Sequence, residues 1–268
     1  MTTSARWTAV LLVVGLVCGA GPSRARLWAD DAPPAAEPPA AEKKPVREAT
    51  PEEVPAVLAD LEAAFKKKKL AEALALLKRV EELKHVQFEK PLHKLLRHPD
   101  ADVALRAAEL LEDRTYPESG KAVWAASWGQ SANDKRSAVR TKALRALAKV
   151  GFKLDKKQFD DVQKVWRSVQ GSADRSLAPL LVDIAVYAEQ TKDKRFARDL
   201  GEAIDKPESK DNGPTNPPAS WWEGKFYLWE GSRNEVHRAM KAITGQDFVT
   251  TEQAKDWIEA HKKDGFDW

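Results

Sequence analysis

Apolar residues recur along most of this chain at the three- and four-residue spacing of amphipathic helices. Leu58, Leu61 and Phe65 form the first stripe, and Leu70 and Leu74 begin a second stripe after a run of lysines. Two short stripes in succession predict a helical hairpin, because each helix hides its apolar side against the other. The pattern continues to residue 206 and predicts about eight helices and no convincing strand.

One helical segment is repeated. The segment Val103–Leu111 recurs 36 residues later as Val139–Leu147, with apolar residues at the same offsets. A unit of this size cannot bury its apolar face alone, so neighbouring copies must stack on one another. The repeat therefore predicts an all-α fold, an α-solenoid of stacked antiparallel helix pairs, which presents a broad surface for recognition.

Local signals mark several helix ends. Thr50 and Glu53 have capping-box spacing where order is expected to begin, Asp100 and Asp155 are expected N-caps, and Gly151 is an expected left-handed C-cap. With the composition, these signals divide the chain into a signal peptide (1–29), a disordered Pro/Ala/Glu-rich tether (30–49), helical repeats (50–206), a linker (207–220) and an aromatic-rich helical C-terminal cap (221–268).

The first 29 residues predict export. An uncharged, largely apolar run from Trp7 to Ala20 follows Arg6, and Ala29 precedes the first acidic residue. The run of about 14 residues is shorter than the ~20 needed to span a bilayer, which favours a secretory signal cleaved after Ala29 over an uncleaved anchor. We therefore expect a periplasmic or extracellular protein with no transmembrane segment after cleavage.

The composition of the mature chain excludes several classes of function. Cys18, the single cysteine, lies in the signal, so we expect no disulfide, no thiol nucleophile and no cysteine-bound metal. Removal of the signal's three arginines from the 44 basic residues leaves 41, against 41 acidic residues. Nucleic-acid binding needs a basic excess to neutralise phosphates, so we expect no nucleic-acid partner.

The stretch from Leu95 to Leu111 combines a Pro/Asp turn with a valine, an arginine and small residues, and the stretch from Val139 to Leu147 looks like a second copy. These features resemble a HEAT repeat. The ending from Met240 to Phe248, followed by Trp257, is similar to the tail of exported bacterial HEAT-repeat proteins.

The resemblance covers about residues 86–206 and the tail. It implies an α-solenoid scaffold or adaptor and brings no catalytic residues with it. Residues 52–83 fit a tetratricopeptide-like hairpin equally well, and the architecture is the same in either case.

His85, His93 and His98 with Asp100 and Asp102 suggest a metal site, because imidazole and carboxylate are common ligands of divalent ions. The spacing disfavours it. His93 and His98 are turned about 140° from each other around a helix, and the aspartates are expected to cap one. The sequence favours surface histidines and capping aspartates, with no metal.

The usual catalytic motifs are missing from the sequence. No Gly-x-Ser-x-Gly turn and no phosphate-binding glycine-rich loop occurs, and the adjacent Asp160 and Asp161 would point to different faces of a helix. We therefore expect no enzymatic activity and no cofactor.

Aromatic residues cluster near the C-terminus. Trp221, Trp222 and Trp229 lie close together in sequence beside Phe226 and Tyr227. Such rings either cover the open end of a helix stack or form a platform for a sugar or a peptide. Trp221, Trp222, Trp229 and Tyr227 are thus the candidate contacts to a ligand or partner.

Together these patterns predict a non-enzymatic, exported α-solenoid scaffold or adaptor that binds another protein. The alternative is a carbohydrate- or cell-wall-binding module that uses the tryptophan cluster. A hydrolase in the C-terminal segment is a third possibility.

Overall fold

The computed structural model describes residues 45–67, 69–129, 136–209 and 216–266. The expected signal peptide and the tether as far as residue 44 lie outside the described residues. No helix within the described ranges is both long enough and apolar enough to cross a bilayer.

Helices dominate the described chain, and the all-α expectation is confirmed at that level. The α-helices of the described residues are α1 (Val54–Lys66), α2 (Leu70–Arg79), α3 (Val86–Leu95), α4 (Ala101–Leu111), α5 (Gly120–Ser127), α6 (Ser137–Lys149), α7 (Lys156–Gln170), α8 (Ala178–Thr191), α9 (Ala197–Gly201), α10 (Ala219–Glu230), α11 (Arg233–Thr244) and α12 (Thr251–Ala260).

Two short strands correct the expectation that the chain has none. Arg47–Glu48 (β1) pairs in parallel with Leu83–Lys84 (β2), with Arg47 opposite Leu83. Order therefore begins before Thr50, inside the segment assigned to the tether. Two residues carry too little apolar periodicity to reveal a strand, so this pairing depends on the tertiary contacts around it.

Most predicted helix ends are confirmed. The Asp100 carboxylate accepts hydrogen bonds from the backbone N–H groups of Asp102 and Val103, and Asp155 forms a reciprocal capping box with Gln158. Gly151 has a φ of +66°, the left-handed conformation that glycine adopts without steric cost. At the first helix, the Glu53 carboxylate accepts the backbone N–H of Thr50, but a turn over residues 51–53 delays the helix to Val54.

The helices pack in a regular order. One row of helices, each in contact with the next, contains α2, α4, α6, α8 and α11; we call it the continuous row. The remaining helices flank it: α1 contacts α3, α3 contacts α5, α7 contacts α9, and α9 contacts α12. The repeated segments fall on α4 and α6, which lie directly against each other.

Charged side chains join each helix of the continuous row to its neighbour. Arg106 on α4 contacts Glu81 after α2 at 3.0 Å, and Lys149 on α6 contacts Asp113 after α4. Asp183 on α8 receives Arg145 of α6 at 2.5 Å, and Glu189 on α8 contacts Arg238 of α11 at 3.5 Å. Each junction in the row thus carries an ion pair.

Asp183 is the most deeply buried acid of this series, with 2 % of its surface exposed. Besides Arg145, its carboxylate accepts hydrogen bonds from the Lys142 ammonium at 3.1 Å and the Thr141 hydroxyl at 3.3 Å. A buried carboxylate is tolerated only when it is paired in this way.

The flanking helices use buried acids in the same manner. Glu89 on α3 accepts the Tyr116 backbone N–H at 2.8 Å and the Ser119 hydroxyl, just before α5. Asp199 on α9 receives Gln163 and Arg167 of α7 at 2.6 and 3.1 Å.

Arg114, just after α4, has the densest set of polar contacts near the N-terminal end. Its guanidinium, 2 % exposed, donates to the backbone carbonyls of Val80, Glu81, Leu83 and Leu110. Burial lowers the pKa of Arg114 to about 10, which leaves the group charged at neutral pH. It ties the end of α4 to the segment that leads from α2 into β2.

We expect Arg114→Ala to lower the free energy of unfolding by about 3 kcal/mol or more, because it removes four hydrogen bonds from a buried guanidinium to backbone carbonyls. Denaturant-induced unfolding followed by circular dichroism measures the change. The control is Arg79→Ala, which removes an exposed pair with Asp60 and should cost less than about 1 kcal/mol. Equal losses for the two variants would contradict this role for Arg114.

Candidate functional site

All four candidate contact residues lie on α10. Trp221, Trp222 and Trp229 are half-buried, and Tyr227 is 50 % exposed. The helix begins at Ala219, so the last two residues assigned to the linker are helical; residues 210–215 of that linker lie outside the described chain. Trp222, Trp229 and Tyr227 line cavities beside this helix, whereas Trp221 lines neither of them.

Gly224 sets how closely α10 approaches the rest of the protein. A β-carbon at this position would collide with the carbonyl oxygen of Ala173, in the connection between α7 and α8. Only glycine allows this approach, which brings α10 against the turn Arg175–Leu177 and against α8.

Two indole N–H groups anchor the tryptophans. Trp229 Nε1 donates to the carbonyl of Ile204 at 2.9 Å, and Trp222 Nε1 donates to Asn216 Oδ1 at 3.1 Å. A buried indole N–H needs a hydrogen-bond acceptor. Here one acceptor, Ile204, follows α9, and the other, Asn216, precedes α10. The N–H groups of these two rings are thus engaged inside the protein, and the Arg233 guanidinium lies 5.2 Å from the Trp229 ring centre.

Cations cover part of the aromatic surface. Lys225 lies 5.4 Å from the Trp221 ring centre, Lys206 lies 5.0 Å from that of Phe226, and Arg175 lies 5.9 Å from that of Tyr227. The Lys225 ammonium also donates to the carbonyl of Gln170, and burial lowers its pKa. Each contact contributes about 0.5–1 kcal/mol at an exposed ring.

Two adjoining cavities lie beside these rings. One, of about 580 Å³, is lined by Trp222 and Trp229; the other, of about 520 Å³, is lined by Phe226 and Tyr227. The cavities share the lining residues Lys206, Asn216, Pro217 and Trp222. We call the pair the α10 groove. Its volume and its mixed aromatic and polar lining suit a ligand segment of several residues or sugar units.

Sequence reasoning missed Lys206, Asn216 and Lys225 as parts of this groove. Nothing in their local sequence distinguishes them from other surface residues. They become groove residues because Gly224 brings α10 against the α7–α8 connection and because Ile204 and Asn216 are hydrogen-bonded to α10.

The histidine cluster is not arranged as a metal site. Among the described residues no group of three or more His, Cys, Asp or Glu side chains could hold an ion. Asp100 caps α4 as predicted, but Asp102 lies in the first turn of that helix and does not cap it. His98 is buried at 6 % exposure, which corrects its placement at the surface. Its Nδ1 accepts the backbone N–H of Asp100 at 3.0 Å.

The two tryptophans near the middle of the chain, Trp124 and Trp128, are part of the core. Trp124 and Trp128 stack on each other with ring centres 5.0 Å apart and planes within 6°, and both are buried. Trp128 Nε1 donates to the carbonyl of Arg140 on α6 at 3.0 Å, which links α5 to α6.

Comparison with protein-family models, with curated proteins and with solved structures finds no match for this chain.

We expect Gly224→Ala to destabilise the protein by about 1–3 kcal/mol and to increase quenching of tryptophan fluorescence by acrylamide, because α10 must move away from Ala173. Alanine otherwise stabilises a helix by about 1 kcal/mol relative to glycine. A lower free energy of unfolding in Gly224→Ala would therefore identify the clash with the Ala173 carbonyl oxygen. The matched control is Gly171→Ala, whose added β-carbon meets only ordinary contacts at 3.4 and 3.6 Å. A stabilised Gly224→Ala protein would contradict this packing.

His93 makes stability depend on pH. Burial, with a smaller contribution from the Arg97 charge, lowers its pKa to about 4, and its Nε2 has no hydrogen-bond partner in the described chain. Between pH 6.5 and 4 the unfolded chain binds a proton at this residue that the folded chain does not, so the free energy of unfolding falls as pH falls.

Between pH 6.5 and 4, we expect the free energy of unfolding of His93→Gln to fall by about 2 kcal/mol less than that of the parent protein, because glutamine takes up no proton. Denaturant unfolding of the parent and the variant at several pH values gives the difference. Identical pH profiles for the two proteins would show that His93 takes up its proton equally well in both states.

Proposed function

We propose that the protein is a non-enzymatic, exported α-solenoid scaffold that binds another protein. The observation that carries the proposal is the continuous row, in which α2, α4, α6, α8 and α11 each contact the next. This order of contacts is what stacked helical hairpins produce, and stacked hairpins offer an extended surface for partners.

The repeated segment supports the same proposal. Its two copies lie on α4 and α6, which are neighbours in the row, as adjacent repeats of a stack must be. Ion pairs join successive helices at every junction of the row, while the flanking helices leave their outer sides exposed, as at Lys90 and Lys164.

A carbohydrate- or cell-wall-binding module remains the second candidate, favoured by the α10 groove. Its exposed Tyr227 and its half-buried tryptophans are residue types that stack on sugars. In this case the helix stack would hold the groove in place, and the ligand would touch α10.

We expect the immobilised full chain to retain one defined protein from the exported fraction of its source cell, and a purified sample of that protein to bind with a Kd in the micromolar range or below. The chain after residue 29 carries 41 basic and 41 acidic residues, so it has no net charge to attract a partner over long range. Affinity should therefore change less than about tenfold between roughly 50 and 300 mM salt.

The same experiment also measures binding of the protein to purified peptidoglycan and polysaccharides. Saturable binding to a polysaccharide, weakened in Tyr227→Ala but unchanged in Val86→Ala, would overturn the proposal in favour of the sugar-binding module. Val86 is a matched control because it is 51 % exposed, as Tyr227 is 50 % exposed, and it lies on α3.

A further inference from the structure

Three connections that carry exposed lysines meet along one edge of the protein. Arg195, in the connection between α8 and α9, donates to the carbonyl of Leu154 at 2.7 Å, which places this connection against the one between α6 and α7. Lys194 donates to the carbonyl of Asp264 at 2.6 Å, which brings the turn after α12 to the same place. We call residues 152–157, 192–195 and 261–264 together the lysine edge.

The lysine edge carries a large excess of positive charge. Its three segments contain eight lysines and arginines, all exposed, and three aspartates. Two of these aspartates are engaged locally, because Asp155 accepts the backbone N–H of Gln158 and Asp193 accepts that of Arg195. Since the chain after residue 29 has equal numbers of basic and acidic residues, the excess is a local concentration of charge.

Most of the cations in the lysine edge have no acidic partner among the described residues. Arg195 pairs with Asp193, whereas six lysines form no ion pair within that part of the chain. These six are Lys153, Lys156, Lys157, Lys192, Lys262 and Lys263. Unpaired like charges on adjoining turns repel one another, and a bound anionic partner relieves that repulsion.

Three of these lysines occupy positions where the local backbone does not favour them. Lys156 and Lys157 are the first two residues of α7, where the positive end of the helix dipole opposes a cation and the first turn contains no acid. Lys192 follows α8 with a φ of +50°, the left-handed conformation that glycine adopts without steric cost. Contact with an external anion accounts for lysines that the local structure disfavours.

The residue types favour a membrane surface as the anionic partner. Arginine suits the bidentate recognition of a single phosphate or carboxylate, whereas lysine is a compact point charge without fixed geometry, which suits diffuse attraction to many headgroups. Nucleic-acid strands also need flat rings on which bases stack. The rings that Arg195 and Lys194 cover, Phe159 and Phe266, are only 7 % and 6 % exposed.

We propose that the lysine edge binds the surface of a membrane that contains anionic phospholipids. The contact is peripheral and electrostatic, with the lysine ammonium groups among the lipid headgroups. This inference does not rest on the scaffold function, and the lysine edge contains none of the residues that line the α10 groove.

Cosedimentation of the full chain with lipid vesicles tests the proposal. We expect at least about tenfold tighter binding to phosphatidylcholine vesicles with roughly 30 % phosphatidylglycerol than to phosphatidylcholine alone. Binding to the anionic vesicles should weaken at least about tenfold between roughly 50 and 300 mM salt, because salt screens exposed charges. Residues 1–29 are present in every protein compared, so they do not account for differences between variants.

The test variant combines Lys153→Gln, Lys156→Gln, Lys157→Gln and Lys192→Gly. It should bind the anionic vesicles at least about 30-fold more weakly than the parent protein, because four cations are removed from the membrane contact. It should unfold at the same temperature or a higher one, because two cations leave the start of α7 and glycine suits the left-handed position. Weaker binding is then separated from loss of the fold.

The matched control combines Lys66→Gln, Lys67→Gln, Lys69→Gln and Lys90→Gln. It removes the same charge from exposed lysines that lie outside the lysine edge, and its affinity should stay within about threefold of the parent. The proposal is overturned if the parent binds both kinds of vesicle alike, if the test variant binds as the parent does, or if the control loses as much. Binding to heparin or double-stranded DNA without binding to vesicles also overturns it, in favour of an anionic polymer.

Discussion

Buried acids between neighbouring helices hold this structure in register. Asp183 is the clearest case, since a carboxylate with 2 % exposure is tolerated there because Arg145, Lys142 and Thr141 of the adjacent helix donate to it. Displacing α6 along α8 by one turn would break all three contacts at once and leave a buried charge alone. Apolar packing brings the two helices together, and the acid determines where along their length they meet.

The position of α10 depends on the packing of α7 and α8. The continuous row ends with α11 against α8, which leaves the α7–α8 connection available to receive Gly224. The close approach there, with the anchored indoles of Trp222 and Trp229, fixes the rings that line the α10 groove. The groove is therefore a product of the helix packing beneath it.

Local patterns in the sequence predict much of this fold because they have local causes. The stripes at Leu58, Leu61 and Phe65 mark a helix through its own periodicity, and Asp155 marks a helix start through a bond to Gln158 three residues away. The solenoid arrangement and the export signal are still predictions.

Contacts between residues that are distant in the sequence could not be predicted from local patterns. Arg114 is bound by carbonyls 31 to 34 residues earlier, and a lone arginine after a helix looks like any exposed one until that segment is in place. His98 is buried for the same reason: Phe65 packs against its ring from another helix, with ring centres 6.0 Å apart. For the candidate site, the sequence shows that aromatic residues are close together, but the acceptors at Ile204 and Asn216 depend on the path of the connection before α10.

Two pairs of hydrogen-bonded side chains are separated in the sequence by the length of one repeat. Lys149 contacts Asp113 and Gln163 contacts Asp199, both across 36 residues, which is also the offset between the two copies of the repeated segment. Lys149 on α6 therefore occupies the position that corresponds to Asp113 after α4, one unit along the chain. A polar pair at this spacing joins one hairpin to the next, so an insertion or deletion within α6 that shifts Lys149 would separate the pair.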